Sequence, residues 1–367
     1  MTEEWVEEDG DIVRDILGRG LTALSKLNPE GRLTLDISVY SPSDSEHHFR
    51  NIAFHPADQR ISDTTFDFCV ASNAGHGWVD GTTAPAVPAA TNLLFRRQTR
   101  RRWEPNTLGP LIGCFPNLEE LHYEPWREWG RLLQGFTDMG LKQLFKTLTV
   151  NTLKKIVIFE DLNESLIAVN STGICKALDA EPVRTACAKV SAAFAAASLS
   201  LEHISAAFMI DASLFWTARQ SDWVWENLLS LSLTSRKLAP EALPASINEM
   251  LYAAAQTATK MPKLKIMELW NGGLGHASVF RYENAKAGTP ARITWRSSWD
   301  LQLDPRVTQA WKTMAGKHRI WEFEVRNEPL GSGEFLRSHG DAIKALTLVN
   351  EVACPVSLSQ IRRENIR

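Results

Sequence analysis

LLSLSLTSRKLAP (Leu228–Pro240) and MPKLKIMELWNGG (Met261–Gly273) carry the pattern that decides the fold. In each, a leading leucine (Leu228 or Leu264) precedes two variable residues, an apolar residue, one variable residue and a second apolar residue. The frame returns as LEELHYE from Leu118, LKKIVIF from Leu153, LEHISAA from Leu201 and IKALTLV from Ile343. Successive starts lie 35, 48, 27, 36 and 79 residues apart. Apolar alternation over so few residues predicts a strand. One short strand in each period of roughly 30 to 40 residues predicts a strand–helix repeat.

The intervals hold the helices such a repeat needs. They are predicted over Glu181–Ser200, Pro240–Lys260 and Pro305–Lys317, two of them opened by proline. The wide last interval contains SVFRYE (Ser278–Glu283), ARITWRS (Ala291–Ser297) and HRIWEFEVR (His318–Arg326), whose alternation predicts a β-rich insertion near residues 278–326. Upstream, RLTLDISVY (Arg32–Tyr40) and TNLLFRR (Thr91–Arg97) read as strands, and the Gly-, Ala- and Pro-rich residues Ala71–Ala90 as a loop. No unit can bury both its strand stripe and its helix stripe alone, so the units must stack. The expected fold is α/β, a leucine-rich-repeat-like solenoid or horseshoe of parallel strands with outer helices. It comprises an acidic segment over residues 1–31 and a single repeat domain over 32–367. The uneven spacing keeps an ordinary doubly wound α/β domain as the alternative.

Hydrophobic residues make up 44% of the 367 and charged residues 23%, enough apolar surface for a core. A formal net charge of −3 excludes a surface built wholly for nucleic acid. Five cysteines, an odd number with no CxxC pair, read as reduced thiols and as neither a disulfide framework nor a zinc site. The acidic opening MTEEWVEEDGD has no apolar core of a secretory signal, and no run of 18 apolar residues occurs. The expectation is an intracellular protein, cytoplasmic or nuclear, that is monomeric and has no membrane partner. P-loop, HExxH and GxSxG motifs are absent, and neither a metal site nor a cofactor is expected.

LTLDISVYSPSDSEHHF (Leu33–Phe49), LLFRRQTRRRWEP (Leu93–Pro105), LEELHYEPWREW (Leu118–Trp129) and ITWRSSWDLQL (Ile293–Leu303) resemble fungal F-box-associated proteins of unknown function. LTSRKLAP (Leu233–Pro240) and MPKLKIMELWNGG belong to the same resemblance, which runs from about Leu33 to the C-terminus. The resemblance implies a repeat region that holds a target for a ubiquitin ligase. The F-box itself, a helical segment with a Leu-Pro-rich opening, is not expected among the mostly polar residues before Arg32.

Strand side chains alternate, so the variable positions of the motif should share a concave face. That face would carry Glu120, His122 and Glu124; Lys155, Val157 and Phe159; His203, Ser205 and Ala207; Ser230, Ser232 and Thr234; Ile266, Glu268 and Trp270; and finally Ala345, Thr347 and Val349. Carboxylates beside an indole suit a guanidinium or amine, by bidentate acceptance and a cation–π face. Two nearby carboxylates could also divide acid and base roles. Tyr123, Trp126, Arg127 and Trp129 belong to the segment after the Leu118 strand, and Asn271 to a turn after Trp270, all candidates for a pocket wall. Arg96, Arg97, Arg100, Arg101 and Arg102, with Trp103 adjacent, form a candidate nucleic-acid patch, tRNA included. The same residues also fit a purely structural role, as a solvated repeat surface, tryptophans packed on the next repeat, and arginines paired with acids.

Two functions from different classes follow. One is a non-catalytic recognition module that binds a protein segment or an arginine-like small ligand. The other is a secondary-metabolism enzyme on the same scaffold, by analogy with fungal arginine-containing cyclodipeptide synthases that use aminoacyl-tRNA. There Glu120, Glu124 and Glu268 would hold the guanidinium, and one carboxylate or His122 would take a proton from the attacking amine.

Overall fold

A computed structural model describes residues 3–28, 32–38, 85–97, 103–127, 131–148, 152–162, 184–285, 289–317, 322–331 and 335–364. The chain forms two units, Met1–Lys155 with Glu160–Thr185, and Ile156–Phe159 with Ala186–Arg367. In the first unit stand α1 (Glu3–Leu24), β1 (Leu33–Asp36), β2 (Ala90–Phe95), α2 (Pro105–Gly113), β3 (Glu120–Tyr123) and α3 (Arg131–Thr147). Then come β4 (Lys155–Phe159), α4 (Ala188–Ala197), β5 (His203–Asp211), α5 (Ala212–Ala218), β6 (Ser230–Thr234) and α6 (Pro244–Ala258). The second unit continues with β7 (Ile266–Gly273), β8 (His276–Glu283), β9 (Ala291–Ser297), α7 (Pro305–Lys317) and β10 (Phe323–Pro329). It ends with α8 (His339–Leu346) and α9 (Pro355–Glu364).

The fold is mixed α/β, and its ten described strands follow chain order, β1-β2-β3 in the first unit and β4 through β10 onward. Pairing is parallel at β1–β2, β2–β3, β5–β6, β6–β7 and β9–β10. Only β7–β8 and β8–β9, inside the expected β-rich insertion, are antiparallel among the described pairs. Parallel neighbours need a crossover connection, which α2, α5, α6 and α7 supply for β2–β3, β5–β6, β6–β7 and β9–β10.

Each leading leucine occupies one recurring backbone device. Leu118, Leu201, Leu228 and Leu264 each donate their N–H to the carbonyl three residues back, on Phe115, Ser198, Trp225 and Met261. The residue after the leucine then donates to its equivalent in the preceding repeat: Lys154 to Glu119 at 2.9 Å, Leu229 to Glu202 at 2.7 Å, Lys265 to Leu229 at 2.8 Å. Leu118, Leu153, Leu201, Leu228 and Leu264 are all buried. The turn closes the backbone while the leucine fills the core, so both constraints fall on the same residue. Register follows from this: His203, Ser230 and Ile266 lie side by side, as do Ser205, Ser232 and Glu268.

Predicted α7 matches its span, and Pro240–Lys260 shortens to α6. The run from Ile343 is a correction, because it is α8 and not a sixth repeat strand. Ser338 caps that helix by accepting the Asp341 N–H, and Thr347 ends it in the left-handed region at φ 50°. Ile343 and Leu346, three apart, satisfy a helical stripe as readily as the strand motif. Ala345, Thr347 and Val349 therefore belong to no strand column.

After β10 the chain returns across one strand face of its own unit. Ala342, Ile343, Leu346, Val352, Ala353 and Ile361 pack there with Phe159, Ala207, Trp270 and Val279. Gly272 permits the approach, since a Cβ on it would sit 2.4 Å from the Ala342 Cβ. Cys114 and Cys187 are free thiols, and burial pushes the Cys114 thiol up to about 11.

Leu228→Ala should cost about 2–5 kcal/mol by deleting a buried leucine from the device, measured by urea unfolding. Gly272→Val should lift α8 from the sheet, so limited proteolysis should release the C-terminal segment sooner than in the wild type.

Candidate functional site

Alternation divides the first unit's strands into an apolar face and a polar one. Leu93, Phe95, Leu121 and Tyr123 are buried on one side. Asp36 and Arg96 form an ion pair, and Asn92 lies in register with Glu120. Glu120 is partly open, with its carboxylate 3.7 Å from His122 Nε2 and 3.6 Å from Lys155 Nζ. His122 is buried beneath it at 5% exposure. At the next row, Lys154 donates a hydrogen bond to Glu119, and that bond holds the Glu119 carboxyl below its ordinary value. The contribution of that pair is present above the usual carboxylate range and is lost as pH falls through the lowered value.

Beyond the ends of β2 and β3 lies a buried group of charges. Arg97, wholly buried, is ion-paired with buried Asp161. Its guanidinium carbon stands 4.4 Å above the Trp126 ring, and its carbonyl accepts the Trp126 indole N–H at 2.8 Å. Glu124, also buried, accepts the Arg97 backbone N–H at 3.4 Å. An isolated bridge between Trp126 and Asp161 fixes the two segments, with Arg127 N–H donating to the Asp161 carbonyl at 2.9 Å. Arg184 pairs with Glu160 at 2.5 Å and with Asp138 of α3. Tyr123 donates its hydroxyl to the Trp103 carbonyl. Ions so enclosed are retained only where each has its partner.

The second unit treats the same motif columns differently. His203 Nδ1 and Ser230 Oγ lie 2.8 Å apart, and Ser232 Oγ accepts the Trp270 indole N–H at 3.1 Å. Phe208 sits at φ 63°, its N–H donating to Thr234 Oγ1 and its ring edge-on to Trp270 and Phe159. Holding a non-glycine residue there costs on the order of 1–3 kcal/mol, borne by that packing. Glu268, fully buried, binds Arg281 at 2.7 Å and accepts the N–H groups of Val349 and Asn350 at 2.9 Å each. It also accepts from Asn350 Nδ2 at 2.7 Å. Arg281 donates to the Thr347 carbonyl and Arg296 to that of Ala345, cations placed at the C-terminus of α8 where the helix dipole favours them.

The expected ligand residues therefore divide. Glu120, His122 and Glu124 lie along one strand, Glu120 at its start and Glu124 just past its end, with Glu120 the most open of the three. Phe159, Glu268 and Trp270 are enclosed, with the C-terminal segment taking the ligand's place; Asn271 is half-buried in β7 and continues the strand where a turn was expected. Of the arginine patch, Arg97 is in the interior and Arg96 is held by Asp36, a correction to their reading as an open phosphate footprint. Arg100, Arg101, Arg102 and Trp129 lie outside the described residues. Asp138, Glu160, Asp161 and Arg184 carry no motif; only the acidic pair directly after the Leu153 strand could have signalled them. No group of residues among those described has metal-ligand geometry, and no described helix is long and apolar enough to cross a membrane.

Residues 148–354 match the family model described as a family of unknown function, DUF6546. The chain belongs to the DUF6546 family. The match runs from the Leu153 repeat to the segment seated on Glu268, so the β-rich insertion and the returning chain as far as Cys354 lie within the family's own extent. No curated protein and no solved structure matches the chain.

Glu268→Ala strands Arg281 and the N–H groups of Val349 and Asn350, and should destabilise the protein by about 3–5 kcal/mol. Thermal and urea unfolding would measure this loss, and Glu268→Gln, which keeps one acceptor, should lose less.

Proposed function

We propose that this DUF6546 member is a recognition module on a leucine-rich-repeat-like scaffold, resembling the target-holding region of fungal F-box proteins. Buried leading leucines and the repeat-to-repeat N–H ladder support the scaffold. The site is the polar strand face of the first unit, and the ligand is a polypeptide segment carrying an arginine or lysine beside an acid.

One observation carries this reading. Glu120 is a partly open carboxylate with a cation, Lys155, and an imidazole, His122, both within 4 Å. An incoming guanidinium exchanges with Lys155 for the carboxylate, and the released ammonium meets the ligand's acid. Buried Glu124, Arg97 and Asp161 hold the strand ends rigid behind it, so the face is preorganised and little ordering entropy is lost on binding. Binding is favoured over catalysis because Glu124 and Glu268 already have partners inside the fold.

Titration calorimetry with short peptides holding an Arg-Asp pair tests this. The wild type should bind them, and Glu120→Gln or Lys155→Met should each weaken binding about tenfold, since a charge-assisted contact is worth about 1.5–3 kcal/mol. Citrulline in place of arginine should do the same. Failure of every such peptide to bind, together with dipeptide formation from arginyl-tRNA, would transfer the site to the enzyme reading.

A further inference from the structure

Helix α3 has two apolar faces where packing on a sheet needs one. Leu141, Leu144 and Phe145 are buried, and Gly140 lies against α2, where an added Cβ would stand 3.2 Å from the Pro105 Cβ. Leu132, Phe136 and Met139 recur at intervals of four and three, so they line one side of the helix. That side faces out: the three are 74%, 60% and 65% exposed, with Leu133 at 44% beside them. In the second unit α6 exposes Glu249 and Gln256 beyond its first turn, and α7 exposes Arg306, Gln309, Lys312 and Thr313. Single exposed apolar residues need no explanation, but four on adjacent turns of one helix mark an interaction surface.

On α3 itself the charges beside this stripe are cations. Exposed Lys146 continues it after Gln143, half-buried Lys142 flanks it, and exposed Arg131 opens the helix. Asp138, the one acid of α3, is paired with Arg184 and accepts from the Gln134 amide at 3.2 Å. The chain as a whole carries a formal net charge of −3. Attraction to an anionic surface is therefore a property of this face and not of the protein at large.

We propose that α3 is a peripheral membrane-binding element. Leu132, Phe136 and Met139 enter the acyl boundary of an anionic bilayer, and Lys142 and Lys146 reach its headgroups. An apolar stripe edged by cations is the composition with which a helix rests in the plane of the interface. Lysine stems lie along apolar surface while the ammonium stays among the headgroups. The helix lies in the surface without crossing it, and no described helix is long and apolar enough to cross. A second copy fits the stripe poorly: parallel pairing sets Lys146 against Lys146, and antiparallel pairing about Phe136 sets Lys142 beside Arg131 at both ends. Four apolar side chains are also few against the roughly 20–30 residues a side that a stable protein interface engages. A lipid surface takes them up without a complementary partner. The proposal replaces the expectation of no membrane partner.

Co-sedimentation of the full chain with vesicles tests it, phosphatidylcholine alone against phosphatidylcholine with about a third phosphatidylserine. Circular dichroism reports the fold of each variant, and all the substituted side chains of α3 lie on its outer side. The wild type should bind the anionic vesicles about tenfold more tightly than the neutral ones, and lose that excess as salt screens it. Leu132→Ser with Met139→Ser should weaken binding to the anionic vesicles about tenfold. Lys142→Gln with Lys146→Gln should abolish most of the preference for them, while Lys312→Gln with Lys317→Gln on α7 should leave it unchanged. Equal binding to both vesicles, or binding that survives both α3 double variants, would overturn the proposal. A wild type that ignores every vesicle but is held by an acidic helical peptide would overturn it in favour of a protein partner.

Discussion

A single buried carboxylate, Glu268, organises the second unit. It satisfies Arg281 on the neighbouring strand and three N–H groups of the returning chain at once. Burying an ion is tolerable only when its lone pairs are filled, and here the filling groups come from segments about 80 residues later in the chain. The requirement therefore locks the C-terminal segment in one place. Hydrophobic packing of Ile343, Leu346 and Ile361 against Trp270 supplies the area, while Glu268 supplies the register. Packing alone would tolerate a slip; two peptide N–H groups aimed at one carboxylate do not.

The same strand motif thus has two fates. In the second unit its variable positions are absorbed into a core and covered by the chain's own end. In the first unit Glu120 stays partly open among charged neighbours, while His122 and Glu124 of the same strand are buried. A partly open face and a structural face are built from the same alternation, and the difference lies in what the chain lays on top. Charged rows across β8, β9 and β10 are a third use, in which Arg292 pairs with Glu283 and Arg296 with Glu328 on neighbouring strands.

Much of this was legible from local pattern. The leucine frame placed five strands and aligned their columns, because one residue both closes the turn and fills the core. Alternation likewise found β8, β9 and β10, and a proline start found α7. The Ile343 run defeated the frame because Ile343 and Leu346, three apart, fit a strand motif and a helix alike. Ser338, a capping serine with Asp341 three residues on, was the local signal that separates the two.

Sequence by itself determined the repeat, the α/β class and the sign pattern of each strand, since these depend on neighbours a few residues away. Only the tertiary structure decided which charges are open. Arg97 and Arg96 look alike in a basic run, yet one is enclosed with Asp161 and the other lies on a half-open strand face with Asp36. Glu120 and Glu268 hold alternating positions in the same frame, and one is accessible while the other is sealed. Burial of an ion depends on partners distant in the chain, and no window of local sequence contains them.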